Sequence, residues 1–400
     1  MKELLITQPD FMETFNCVGT ACREHCCKGQ NVTLDRNRYQ KYIKSPYADI
    51  KRIAISHISV TQDSLASWAN IHPDSQGCCP FLDEQQLCQI HKHAGANALS
   101  NCCATYPRIE HIYKNQKIKS MSLSCPEVTR KVLFSPEALT LRFSTIHQYD
   151  YYKAPDIIID QRLANRACVA IIAASEESNV IEESLWAINL FLQMDLMGSD
   201  VNKNKMAEID SLRAKLISAV ASGKAADALM AIDYSPAIRC ELLDYFRHFM
   251  AQMPDIRGKN VLAAYANTLQ IILSDKLTSP KSIEQKLSDA WHQYALPFFM
   301  QHNSVLRNYF LYRIHHDQLA MGDKSAVAVF NLQVIDFFFL KALISAHVSH
   351  HGEITESHVI DIIYSYHACR DSTDNSSQKF KQDVMDLALK EDFPLLSLLT

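Results

Sequence analysis

From about residue 155 onward, apolar side chains recur at helical spacing with few interruptions, whereas the first 130 residues break into short stretches divided by turn formers. Ser235-Pro236 opens AIRCELLDYFRHFMAQ and Ser279-Pro280 opens KSIEQKLSDAWHQYA, each a capping residue followed by proline at the first helical position. Gly198 is placed to close SLWAINLFLQMDLM and Gly223 to close SLRAKLISAVAS, as glycine does at helix C-termini. Pro297 is expected to end or kink the helix before FFMQ. The polar run DSTDNSSQ, 371–378, reads as a loop, and KFKQDVMDLALK after it as a last amphipathic helix. In the first part DRNRYQKYIKS has a helical period, and 131–156 has room for a strand or two. These patterns predict a mainly α protein: an irregular Cys-rich region over 1–130, a connecting segment over 131–156 and an all-helical domain over 157–400.

The most apolar stretch, AVAVFNLQVIDFFFLKALISAHV, is broken by Asn331, Asp336 and Lys341, which favours a buried core helix over a membrane span. The opening MKELLITQPDFMETF holds three acidic residues and lacks a signal-peptide core, so a cytoplasmic location is expected. A net charge near −4 gives no reason to expect nucleic acid, and no polybasic run argues for a membrane surface.

The cysteines change the picture. Ten of thirteen fall before residue 130, at 17, 22, 26, 27, 78, 79, 88, 102, 103 and 125. In a reducing compartment that density reads as metal binding or thiol chemistry. Cys168, Cys240 and Cys369 lie in helical apolar surroundings and read as small core residues. Cys17-x4-Cys22-x3-Cys26-Cys27 has loops short enough to wrap one ion or cluster, and CCPFLDEQQLC brings Cys79 to Cys88 if DEQQ is a hairpin turn. Neighbours on an extended segment point to opposite faces, so each vicinal pair is expected to give one ligand. Ten thiols exceed what one zinc ion or one 4Fe–4S cluster needs, which leaves one centre or two open. Histidines 25, 72, 91, 93 and 111 stand nearby, each more often a surface or hydrogen-bonding residue than a ligand.

Other chemistries are excluded by spacing. No two of the nine glycines lie within nine residues of each other, so the glycine-rich dinucleotide and phosphate loops are missing. The three-cysteine radical S-adenosylmethionine signature fails at position 29, a glycine, and neither G-x-S-x-G nor H-E-x-x-H occurs.

The run F-x-C-V-G-T-A-C-R-E-H-C-C-K-G, then C-P-F-L and L-C-Q-I-H, then C-C-A-T-Y-P-R, then S-L-S-C-P-E resembles the flagellin lysine-N-methylases. They share this cysteine head with shorter zinc- or iron-chelating proteins, and LRNYFLYRI, 306–314, resembles their Asn-Tyr helix. The resemblance implies methyl transfer from S-adenosylmethionine to lysine amines of flagellin, and a 4Fe–4S cluster held by the head, with zinc as the alternative. It assigns metal ligation to a set drawn from Cys17, Cys22, Cys26, Cys27, Cys79, Cys88, Cys103 and Cys125. Cys22, Cys26 and Cys27 with one of Cys79, Cys88 or Cys103 are the favoured four, and Cys78 and Cys102 look like extras. Glu127 and Tyr106 are the candidates for a base that deprotonates the lysine. A non-catalytic zinc-organised scaffold is the competing reading.

Overall fold

A computed structural model describes residues 2–28, 32–75, 77–148, 154–174, 181–194, 203–233, 235–274, 279–319, 325–388 and 395–400. In strand β1 (Lys2–Pro9), Leu4 and Ile6 are buried at period two. It pairs in parallel with β6 (Gln116–Met121) and antiparallel with β7 (Leu141–Gln148), while β5 (Arg108–Ile112) forms a hairpin with β6. The sheet order is β5-β6-β1-β7. A parallel pair needs a long crossover, and here the crossover is the cysteine-rich segment. The strand foreseen in 131–156 is β7, and it closes the sheet of the N-terminal region.

That crossover has its own small core. A three-stranded sheet, β2 (Val32–Leu34), β4 (Ala69–Ile71) and β3 (Ile58–Val60), packs with α1 (Arg36–Ile43) and α2 (Ala48–His57) around Val32, Leu34, Tyr42, Ile50, Phe81 and Ile90. Asp35 caps α1 by accepting from the Arg38 amide at 2.9 Å. Two short helices, α3 (Gln89–Ala94) and α4 (Asn101–Thr105), complete the module, and Cys79, Cys88 and Cys103 pack against its core. Phe11, Phe15, Met121, Leu123 and helix α5 (Pro126–Phe134) belong to the large core of the body instead. Packing therefore divides the chain differently from composition.

Among its described residues the body is built of helices: α6 (Ile159–Ala173), α7 (Ile181–Gln193), α8 (Lys203–Ala221), α9 (Lys224–Met230), α10 (Pro236–Gln252), α11 (Lys259–Leu273), α12 (Pro280–Ala290), α13 (Leu296–Gln301), α14 (Ser304–Asp317), α15 (Ala326–His351), α16 (Glu356–Arg370) and α17 (Asn375–Ala388). Both serine–proline starts hold. Ser279 caps α12 through its side chain, whereas Ser235 precedes α10 without a side-chain cap bond. Gly223, at φ +77°, closes α8 and begins α9. Gly198 lies outside the described residues. Pro297 does not end its helix: a π turn, Trp291–Ala295, comes immediately before it and shifts the hydrogen-bond ladder where proline supplies no donor. The loop expected over 371–378 is shorter, because α17 begins at Asn375. Helix α15 is long and apolar enough to cross a membrane, yet 83% of its most apolar 18-residue window is buried inside the fold, as expected of a core helix.

Candidate metal centre and adjoining cleft

The backbone brings distant cysteines together. The Cys79 amide donates to the Cys27 carbonyl at 2.8 Å, and Lys28 forms an antiparallel bridge with Cys78. The DEQQ turn is the expected hairpin: Leu82 bridges Cys88, and the Asp83 carboxylate accepts from the amides of Gln85 and Leu87. Cys26, Cys27, Cys79, Cys88 and Cys103 form one electrostatic neighbourhood, each raising or lowering another's proton affinity. Cys17, Cys22 and Cys125 form a second, joined to the first where Cys22 meets Cys26. Of the favoured four, Cys22 thus sides with Cys125 more than with Cys79, Cys88 or Cys103.

The opposite-face argument for vicinal pairs does not hold for two of the three. Cys26 and Cys27 lie in a turn and Cys102 and Cys103 in α4, where successive side chains diverge less than on a strand, and each pair shares a sulfur hydrogen bond. Those bonds, from Cys27 and Cys103, pull Cys26 and Cys102 down to about 6, while their partners are pushed up by the same bond and by burial. The hydrogen bond thus favours the thiolate, the form that binds metal, at one sulfur of each pair. Burial raises Cys79 and Cys125 to about 11 and also raises Cys22 and Cys88.

The donor set fits thiolate-bound iron or zinc. Among the described residues no three His, Cys, Asp or Glu side chains enclose an ion as they stand, and all the head cysteines are free thiols. The same loop nevertheless buries Glu24 Oε2 and His25 Nδ1 without a partner, with His25 Nε2 2.8 Å from Gln86 Oε1. A buried guanidinium, Arg257, adds positive charge beside Cys22, Cys26 and Cys125, and among the described residues it makes no salt bridge. It is the natural counter-charge for thiolates. Its Nη2 donates to the Ser124 carbonyl at 2.8 Å and its guanidinium lies 4.8 Å over the Tyr106 ring. Gly258 seats it: at φ +85°, an added Cβ would stand 2.9 Å from Ala368 Cβ and 3.0 Å from the Ser365 carbonyl, both on α16. Among the nearby histidines, His72 contacts Ser59 Oγ, and His111 Nε2 lies 2.8 Å from the His316 carbonyl.

Beside this centre, a cleft of about 580 Å³ runs between the head and the body, with Cys102, Tyr106, Arg257, His316, Asp317, Asp371 and Asp374 on its walls. Tyr106 OH lies 3.1 Å from Ser124 Oγ, and burial raises its phenol above the ordinary value, which keeps it protonated. Glu127 does not line the cleft. It sits in the first turn of α5 and pairs with Arg130 at 2.6 and 2.8 Å. The head is fixed to the body by α14. Buried Asn308 donates to the carbonyls of Val132 and Ser135 at 3.0 Å each, Tyr312 donates to Met121 at 2.8 Å, and His316 Nδ1 lies 2.8 Å from Ser120 Oγ. Arg257, Asp317 and Asp371 carry no local sequence signal, because only tertiary packing brings them to the cysteines.

The chain matches two family models: a FliB lysine N-methylase C-terminal domain over residues 167–399, and a domain described as zinc- or iron-chelating over 16–126. It is 31% identical to the lysine-N-methylase of Salmonella typhimurium over 405 residues, covering all of both chains, and equally so to that of Salmonella choleraesuis. It is also 44% identical over 142 residues to the flagellar biosynthetic protein FliU of Salmonella muenchen, covering 35% of this chain and 84% of that one. No solved structure matches.

Proposed function

The chain belongs to the lysine N-methylase family and is a protein-lysine methyltransferase, and we propose that it methylates lysine amines of flagellin from S-adenosylmethionine, in the cytoplasm, with a 4Fe–4S cluster held by the head cysteines. The observation that carries this reading is the convergence of the cysteine motifs, Arg257 and an acid-walled cleft at one place in a chain similar along its full length to lysine-N-methylases. The flagellar name of FliU supports the substrate, and thirteen free cysteines suit a reducing compartment.

The sulfonium donor supplies an electrophilic methyl carbon: a C–N bond forms to the lysine, the C–S bond breaks, and a neutral thioether leaves. The chain's own residues must present an uncharged amine. At a pKa near 10.4 only about one lysine in 2,500 is neutral at pH 7. The carboxylates of Asp317, Asp371 and Asp374 draw the ammonium into the cleft, and against their pull on the charged form the loss of water there and the positive charge of Arg257 on the same wall favour the neutral amine. Asp371 is held well below the ordinary carboxylate range, chiefly by the Arg370 guanidinium against the cost of burial, so it stays anionic. Arg257 holds positive charge against the thiolates throughout.

Mass spectrometry of flagellin co-expressed with and without this chain tests the activity. Lysines carrying added methyl groups only with the chain present are expected, and identical masses would refute it. Anaerobically purified protein should be brown with about four iron and four sulfide per chain. Colourless protein with stoichiometric zinc would move the metal assignment to zinc.

A further inference from the structure

A second cavity, of about 370 Å³, lies in the body, walled by residues of α7, α9, α10, α12, α15 and the π turn together with Leu296, Leu399 and Thr400. Its size is that of a small-molecule pocket. The charges on its wall do not cancel. Lys341 Nζ pairs with Glu182 Oε1 at 2.8 Å, and Arg239 Nε lies 2.8 Å from Glu284 Oε2. Glu183 remains without a cation in salt-bridge contact among the described residues, and its Oε2 is buried with no hydrogen-bond partner. Glu284, 6% exposed, likewise buries Oε1 with none. Leaving a buried acceptor unmade is costly, and both line one cavity. Trp291 already receives a cation on its ring, with Lys341 Nζ 5.1 Å from the centroid. It also opens the π turn, a distortion that recurs at functional sites.

We propose that this cavity binds a small organic cation bearing an ammonium group, with Glu183 and Glu284 accepting its N–H donors beside the Trp291 ring. The inference rests on the methyl-transfer reading insofar as it names the source, because both reactants carry such a group, the lysine side chain and the amino-acid end of S-adenosylmethionine; the cavity shares no wall residue with the cleft, so what it holds is a second molecule apart from the reacting pair. Glu183 is the wall carboxylate with no salt-bridged cation among the described residues, which suits one such cation. Burial raises the proton affinity of both carboxylates, against the lowering pull of Lys341 on each and of Arg239 on Glu284.

Isothermal titration of the full chain with S-adenosylmethionine in one arm and with Nα-acetyl-lysine methylamide in the other tests this and separates the two sources. Saturable binding of either probe is expected, weakened about tenfold to a hundredfold in Glu183→Gln and in Glu284→Gln, the range for losing a charged hydrogen bond. Glu183→Gln is isosteric, and helical circular dichroism establishes that each variant is folded. Should Glu284→Gln fail to fold, Trp291→Phe replaces it, with weakened binding expected again. No saturable heat with either probe, or equal affinity in wild type and folded variants, would overturn the proposal. Flagellin that stays unmethylated by wild type would instead sink the methyl-transfer reading and leave the titration to be judged alone.

Discussion

Asp336 on α15 sits 1% exposed between two arginines, and removing its charge should be among the most damaging single changes in the body. Its Oδ2 lies 2.9 Å from Arg313 Nη1 and 3.0 Å from Arg370 Nη2. Oδ1 accepts from the Tyr366 hydroxyl at 2.7 Å and from Arg370 Nε at 3.0 Å. In Asp336→Asn both guanidiniums stay buried, with only Asp317 and Asp371 left as anionic partners. Breaking a buried pair from one side costs about 3–5 kcal/mol, a large share of a typical total of about 5–15. At roughly 2–4 °C per kcal/mol for a helical body of this size, Tm should fall by roughly 6–20 °C. Urea unfolding and thermal scans followed by circular dichroism measure it. Tyr366→Phe, which removes one hydroxyl donor and no charge, should cost only about 1.5 kcal/mol. If Asp336→Asn lay within about 1 kcal/mol of wild type, or cost no more than Tyr366→Phe, the buried charge would not be what binds α14, α15 and α16.

Cys79→Ser and Cys103→Ser should each lose most bound iron or zinc by elemental analysis while keeping the helical spectrum, because the body's core is separate; Cys168→Ser should keep its metal. Asn308→Ala strips donors from two carbonyls that join α14 to the end of α5 and should cost about 2 kcal/mol in denaturant titration. Burial holds His316 down to about 4, so its neutral form favours the fold above the unfolded value near 6.5 and that contribution is lost as pH falls toward 4. Roughly 3 kcal/mol of acid sensitivity follows. His316→Gln should therefore show a shallower stability loss between pH 7 and 4, and an unchanged slope would refute the assignment.

Where the physics is local, the sequence was readable. Pro236 and Pro280 start helices because proline fixes the first helical φ without losing a needed donor, and Asn331, Asp336 and Lys341 mark α15 as a core helix. The DEQQ turn follows from Asp83 bonding to its own neighbours. What stayed hidden depends on distance along the chain. The β1–β6 pairing spans about a hundred residues, and no periodicity announces a partner that remote. The orientation of Cys26 and Cys27 turned on whether their segment was extended or curled, which spacing leaves open. Arg257 stands in an ordinary D-I-R-G-K run, and Asp371 belonged to what read as a loop.

Gly258 gives the positive charge beside the sulfurs an address set from the far side of the molecule. A methyl group added there would wedge α11 off α16 and swing the neighbouring guanidinium outward without altering any of the ten cysteines of the head. Metal chemistry in the head is thereby hostage to clearance between two body helices, so a lesion in affinity or colour need not map to any ligand.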